Sequence, residues 1–261
     1  GYGLTIAGVM IALLAPILGS VADTSGRRMP WIWVFSALYV VGAWGCWYTA
    51  PDSFSATWAL VFFGMGLIGM EFATIFTNAY LPSLGPKEDL GRISGSGWGV
   101  GYVGGVLALA IMLVFFQAGD EGRTMLGFEP LLGLDPATGA DTRVVGPLTA
   151  LWFAVFMIPF FLWVRDDAPP EDAHYRIGEG LRDLWQTIKG LPHHPSLLAY
   201  LGSSMFYRDA LNGLYAFGGT YATLVLNWPV VLIGVFGVIS ATGAAVFSYL
   251  GGSADKRFVP K

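Results

Sequence analysis

The chain has 261 residues, 54% of them hydrophobic and 12% charged, with a net charge of −4. An ordinary soluble domain carries roughly 25% charged residues, so a chain this apolar cannot cover itself in water and its solvent is lipid. The single cysteine, Cys46, excludes a disulfide within the chain, and fourteen scattered basic residues are too sparse for a nucleic-acid surface.

Seven membrane spans are predicted, making the fold class an all-α polytopic helix bundle. The first, 3–22, is an uncharged apolar run of bilayer length. It exits into Gly19-Ser-Val-Ala-Asp23-Thr-Ser-Gly26-Arg27-Arg28, which supplies an acid, a turn glycine and two arginines in six residues. The second span is 31–50. The third, 58–81, is interrupted only by Glu71. The fourth, 97–117, opens on a glycine-rich run in which Gly97, Gly101 and Gly105 recur every four residues, the spacing of close helix packing. The same run contains Gly99-x-Gly101-x-x-Gly104. No strand precedes it and a membrane span follows, so it is not a dinucleotide loop.

The fifth span is 147–164, after an irregular cap at 118–146. Residues 165–195 form a long connection. Within it Ile177, Leu181, Leu184, Trp185, Ile188 and Leu191 recur at helical spacing, which predicts an amphipathic helix at the membrane surface or beneath a domain junction. The preceding Asp166-Asp-Ala-Pro-Pro-Glu-Asp reads as linker. The sixth span, 196–220, is interrupted by Arg208-Asp209, and the seventh, 229–250, follows Asn227-Trp228-Pro229. Alternate loops hold eleven Lys and Arg against two. The positive-inside rule places the eleven in the cytoplasm, with the start of the chain outside and its end inside.

Intramembrane charges mark functional sites by default, because each costs at least about 2.5 kcal/mol at mid-bilayer. Glu71 and Asp209 each lie about fourteen residues into their helices, roughly 20 Å deep at about 1.5 Å per residue. Pairing of Glu71 with Arg208 would offset the desolvation of both. The plainer alternative is a structural ion pair between helices. Thr77, Asn78 and Tyr80 follow Glu71, while Tyr207, Asn212 and Tyr215 surround the Arg208-Asp209 pair, so a polar cavity between these helices is expected. Tyr80 is expected to be an interface anchor instead. No catalytic constellation and no metal-ligand spacing is present. His174, His193 and His194 read as solvated linker histidines, and neither an enzyme nor a cofactor is expected.

The exit sequence recurs, degenerate, as Gly251-Gly-Ser-Ala-Asp255-Lys-Arg, at an offset of 232 residues that aligns Gly19, Ala22 and Asp23 with Gly251, Ala254 and Asp255. Repeated halves are a signature of transporters. The first copy resembles the loop between the second and third helices of the major facilitator superfamily, Gly-x-x-x-Asp-x-x-Gly-Arg-Arg/Lys, and the second resembles the loop between the eighth and ninth. A narrower similarity, to the branch of fungal vacuolar amino-acid effluxers and their bacterial relatives, lies in Asn78-Ala-Tyr-Leu-Pro82, in Gly91-Arg-Ile-Ser-Gly95 with the glycines after it, and in Tyr207-Arg-Asp209-Ala-Leu-Asn212.

The resemblance implies helices two to eight of twelve in a longer protein: most of an N-terminal half over 1–164, a central cytoplasmic loop over 165–195, and the start of a C-terminal half over 196–261. It also implies a secondary transporter of a small solute that works by alternating access, with amino-acid export as the narrower implication. The setting would be a bacterial plasma membrane, and the partners the lipid bilayer, the solute and a coupling proton, with no nucleic acid. Glu71, Arg208, Asp209, Asn78, Tyr207 and Asn212 would bind solute or couple the proton. Gly19, Asp23, Gly26, Arg27, Arg28 and Asp255 would form a conformational latch. Tyr102 stands where the superfamily's antiporter signature has proline, so that signature lends no support to antiport. The rival is a seven-helix receptor or sensor. A retinal protein would need an intramembrane lysine, whereas Lys87, Lys189, Lys256 and Lys261 all fall in predicted loops.

Overall fold

In the computed structural model, which describes residues 2–119, 121–166 and 177–258, the regular elements are all helical. They are α1 (Tyr2–Ser25), α2 (Met29–Gly45), α3 (Ala56–Asn78), α4 (Leu90–Ile111), α5 (Ala140–Arg143), α6 (Val145–Trp163), α7 (Ile177–Gly190), α8 (Pro195–Leu224) and α9 (Val230–Phe258). Local chemistry sets their ends. Gly26 takes φ +63° between α1 and α2, a left-handed turn that a side chain disfavours. The Ser55 hydroxyl accepts from the Trp58 amide and caps α3. A π turn over Met112–Phe116 ends α4.

Six segments are long and apolar enough to cross a membrane: Gly3–Ala22, Met29–Tyr48, Ala56–Ser83, Lys87–Phe116, Ala140–Trp163 and Val230–Ala254. They correspond to six of the seven predicted spans. The remaining one, α8, is a continuous 30-residue helix, about 45 Å long, so its length suffices. Its polar residues, Arg208 and Asp209 above all, keep it less apolar than the other six. The fourth span starts at Leu90, not at Gly97, because the glycine-rich run is helical throughout.

An aromatic core joins α1, α2, α3 and α6. Phe35, Phe72 and Phe76 are buried with Ile32 and Ala73, and the Phe35 and Phe72 rings stack at 4.6 Å. From α6, Phe153, Phe160 and Phe161 close over this cluster. Two antiparallel helix pairs make the most extensive contacts, α2 with α3 and α4 with α9. Both depend on glycine. A Cβ on Gly69 would lie 2.5 Å from the Tyr39 amide nitrogen, and one on Gly95 would lie 2.8 Å from the Gly252 Cα.

The α4–α9 seam runs along Gly91, Gly95 and Gly99, against Ala245, Ser248 and Gly252. This corrects the expected stripe. Gly97, Gly101 and Gly105 have nothing within 4 Å of a Cβ position and stay exposed. The two stripes are offset by two residues, about 200° around a helix of 3.6 residues per turn. The four-residue spacing fits both, and only the partner chooses between them.

Of the expected amphipathic helix, α7 is described and packs against α1. Trp185 and Ile188 remain exposed, with Lys189 over the Trp185 ring at 5.3 Å. Most of the acidic, proline-containing linker, together with His174, lies outside the described residues.

Candidate functional site

The intramembrane charges sit on helices that do not pack extensively together. α3 packs on α2 and α1, whereas α8 packs on α9. No ion pair joins Glu71 to Arg208, which differs from the expected pairing. Similar depth is one coordinate, and it does not choose a lateral neighbour. Glu71 is half-buried on the flank of α3 opposite the packed face formed by Gly69, Phe72, Ala73 and Phe76. Asn78, seven residues on, shares the Glu71 flank and is exposed. Together they present a carboxylate and an amide away from the aromatic core.

On α8, Tyr207, Arg208, Asp209, Asn212 and Tyr215 are exposed. Helical spacing places Tyr207 and Tyr215 on one side, Arg208 at its margin and Asp209 nearly opposite. The α4 residue Tyr102, its ring tilted against Trp98 with centroids 6.2 Å apart, lies within interaction range of both Tyr215 and Tyr207. The Tyr102 hydroxyl on α4 thus meets that of Tyr215 on α8, with Tyr207 in the same neighbourhood. No local sequence pattern singles out Tyr102 for this contact.

At one end of the bundle the latch residues meet a group that the sequence did not single out. Arg28 reaches across to α3, where its Nη1 donates to the Ala79 carbonyl at 3.2 Å and its guanidinium lies 5.8 Å from the Tyr80 ring centre. Asp166, three residues beyond α6, accepts from the backbone amides of Arg28 (3.0 Å) and Met29 (3.1 Å) and from the Tyr80 hydroxyl. Tyr80 is only 7% exposed, so it is a buried donor and not the interface anchor expected of it. Arg27 is exposed, and Gly19 has open space at its Cβ position. The side chains of Asp23 and Asp255 lie outside the described residues.

At the opposite end, Asp141 (4% exposed) accepts from the Gln117 amide at 3.1 Å and the Ala118 backbone at 3.0 Å, tying the cap to the end of α4. Arg143 donates to the Trp47 carbonyl at 2.8 Å and lies over the Trp47 ring. A cavity of about 540 Å³ opens here between the cap and the start of α9, with Glu121, Asp141 and Val231 in its wall. Among the described residues, no group of His, Cys, Asp and Glu could hold a metal ion.

The family described as "Vacuole effluxer Atg22 like" matches residues 87–258, well over half of the chain. The uncharacterized MFS-type transporter YxiO of Bacillus subtilis (strain 168) is 25% identical over 266 residues, covering 100% of this chain and 58% of the relative. Autophagy-related protein 22-1 of Neosartorya fischeri is 23% identical over 178 residues, 64% of this chain and 27% of the relative. Its namesake in Aspergillus fumigatus is 22% identical with the same coverage. The chain therefore spans just over half the length of the bacterial relative and about a quarter of the fungal ones. No solved structure matches. Six membrane-length apolar helices make the chain an integral membrane protein, and the match over residues 87–258 places it in the Atg22-like effluxer family, alongside MFS-type transporters.

Proposed function

We propose that the whole protein is a secondary transporter of a small solute, exporting amino acids, and that it alternates between states open to either side of a bacterial plasma membrane. The observation that carries this reading is the α4–α9 seam. It pairs a helix of the predicted N-terminal half with one of the predicted C-terminal half, 1–164 against 196–261. Contact there is backbone against backbone, with a Cβ on Gly252 falling 2.8 Å from the Gly91 carbonyl. Further along, the Leu109 side chain seats against Gly237, so the seam is backbone on backbone at its Gly91–Gly99 end and side chain on glycine at the other. Smooth contact at one end suits rocking of two halves about it. The names of the relatives, a vacuole effluxer and an MFS-type transporter, support the same class.

In this reading Glu71 and Asn78 on α3, and Arg208, Asp209 and Asn212 on α8, face solute across a polar path, with Tyr207 at its edge on the side of α8 that meets Tyr102. Arg208 would take a carboxylate, and Glu71 an ammonium group or a proton. Asp23, Gly26, Arg27, Arg28 and Asp255 would latch the cytoplasmic ends in one state. The test uses full-length protein in sealed vesicles loaded with labelled amino acids. Glu71→Gln should lower flux at least about tenfold, matching the loss of one charge-assisted contact, with normal membrane insertion. Unchanged flux kinetics in that variant would remove Glu71 from the mechanism.

A further inference from the structure

We infer that Asp166 is a positioning residue of the proposed latch, acting through Arg28 and Tyr80; this rests on the alternating-access reading above. α2 begins without a cap of its own. Its N-cap residue is Arg28, whose side chain makes no capping hydrogen bond, and Pro30 sits in the first turn. The first amides of a 17-residue helix are thereby left to seek an acceptor from elsewhere. Asp166 supplies it from 138 residues away. Its Oδ1 accepts from the Arg28 amide at 3.0 Å, and the Met29 amide lies 3.2 Å from Oδ1 and 3.1 Å from Oδ2. A carboxylate at this end also meets the positive pole of the helix dipole.

The arrangement exceeds a cap because it closes a ring through three helices. Asp166 follows α6, Arg28 immediately precedes α2, and Ala79 and Tyr80 immediately follow α3. The Arg28 backbone is held by Asp166 while its guanidinium is held by the Ala79 carbonyl and the Tyr80 ring. The Tyr80 hydroxyl returns to the same carboxylate. Each member orients another. The loop that begins at Gly26, with φ +63°, is therefore anchored immediately after its turn. That anchor fixes the course of the backbone at Arg27. Loss of the Asp166 charge frees the first turn of α2 and, with it, the aim of both arginines. Asp166 touches no solute in this scheme.

Hydrogen exchange followed by mass spectrometry on full-length protein in lipid vesicles tests the assignment, with Asp166→Asn as the main variant. Exchange over residues 29–33 should rise roughly tenfold, the scale of losing a charged N-cap. Exchange at the cytoplasmic loop 82–89 relative to the outer cap 118–139 should shift, which reports the balance between the two states. Arg28→Gln should shift that balance in the same direction, and the double variant no further. Additive shifts, or faster exchange at 29–33 with the balance unmoved, would reduce Asp166 to a simple helix cap and overturn the proposal. Should Asp166→Asn not fold, Tyr80→Phe removes one donor to the same carboxylate and must move the balance in the same sense. A wild-type protein whose balance ignores every added amino acid would count against the transport reading, whereas the non-additivity of Asp166 and Arg28 is scored without solute.

Discussion

At the scale of single residues, the chain separates groups that hold helices from groups left facing outward. Asp166, Tyr80, Asp141 and Arg143 have several partners each and bind helix ends together. Glu71, Asn78, Arg208 and Asp209 stand away from the packed core. Gly26 belongs to the first class for a backbone reason. With φ at +63°, Gly26→Val should cost about 1–2 kcal/mol, measurable as a lower midpoint of thermal unfolding in detergent. An unchanged midpoint would show that the turn relaxes freely.

The residue scale also shows what sequence could and could not supply. Glu71, Arg208 and Asp209 were legible because a charge inside an apolar run is conspicuous. Asp166 was not, because it sits at the head of an acidic, proline-containing stretch in which any carboxylate reads as solvated linker. Its role depends on the start of α2, 138 residues earlier, and no local pattern records that distance. The missing Glu71–Arg208 pair has a related cause, since depth along a helix is local information and lateral neighbourhood is tertiary.

Helices and their seams form the next scale. Six membrane-length elements follow directly from apolar runs, and the irregular cap follows from its Gly, Asp and Pro content. The direction in which a glycine stripe faces did not follow. α4 carries two four-spaced stripes, and the choice lies with α9, whose Ala245, Ser248 and Gly252 meet Gly91, Gly95 and Gly99. The distinction is open to direct measurement. Gly95→Val or Gly252→Val should weaken the seam by about 1–3 kcal/mol through overpacking. Gly101→Ala should be neutral or stabilising by up to about 1 kcal/mol, because alanine favours the helix and the site is open. Equal destabilisation by all three, read from thermal unfolding of purified protein, would put the seam on the wrong face.

For the whole molecule, the alternation of helix ends is the organising fact. Arg28, Tyr80, Asp166 and the Gly91–Gly252 contact gather at one end. Trp47, Gln117, Asp141 and Arg143 gather at the other. The loops richer in Lys and Arg fall at the first end, so the proposed orientation puts the latch in the cytoplasm and the cap outside. Single cysteines at Ser83 and at Thr138, in a full-length protein otherwise freed of cysteine, Cys46 included, should label from opposite sides of intact cells, Thr138 alone reacting with an impermeant reagent. Labelling of both from outside would refute the topology.

The central claim is solute export by the full-length protein, and flux in sealed vesicles tests it most directly. Efflux of labelled amino acids should exceed that of empty vesicles, should saturate, and should fall to the empty-vesicle level with Glu71→Gln while insertion is unchanged. Flux indistinguishable from empty vesicles across the amino acids, with correctly inserted wild-type protein, would contradict it.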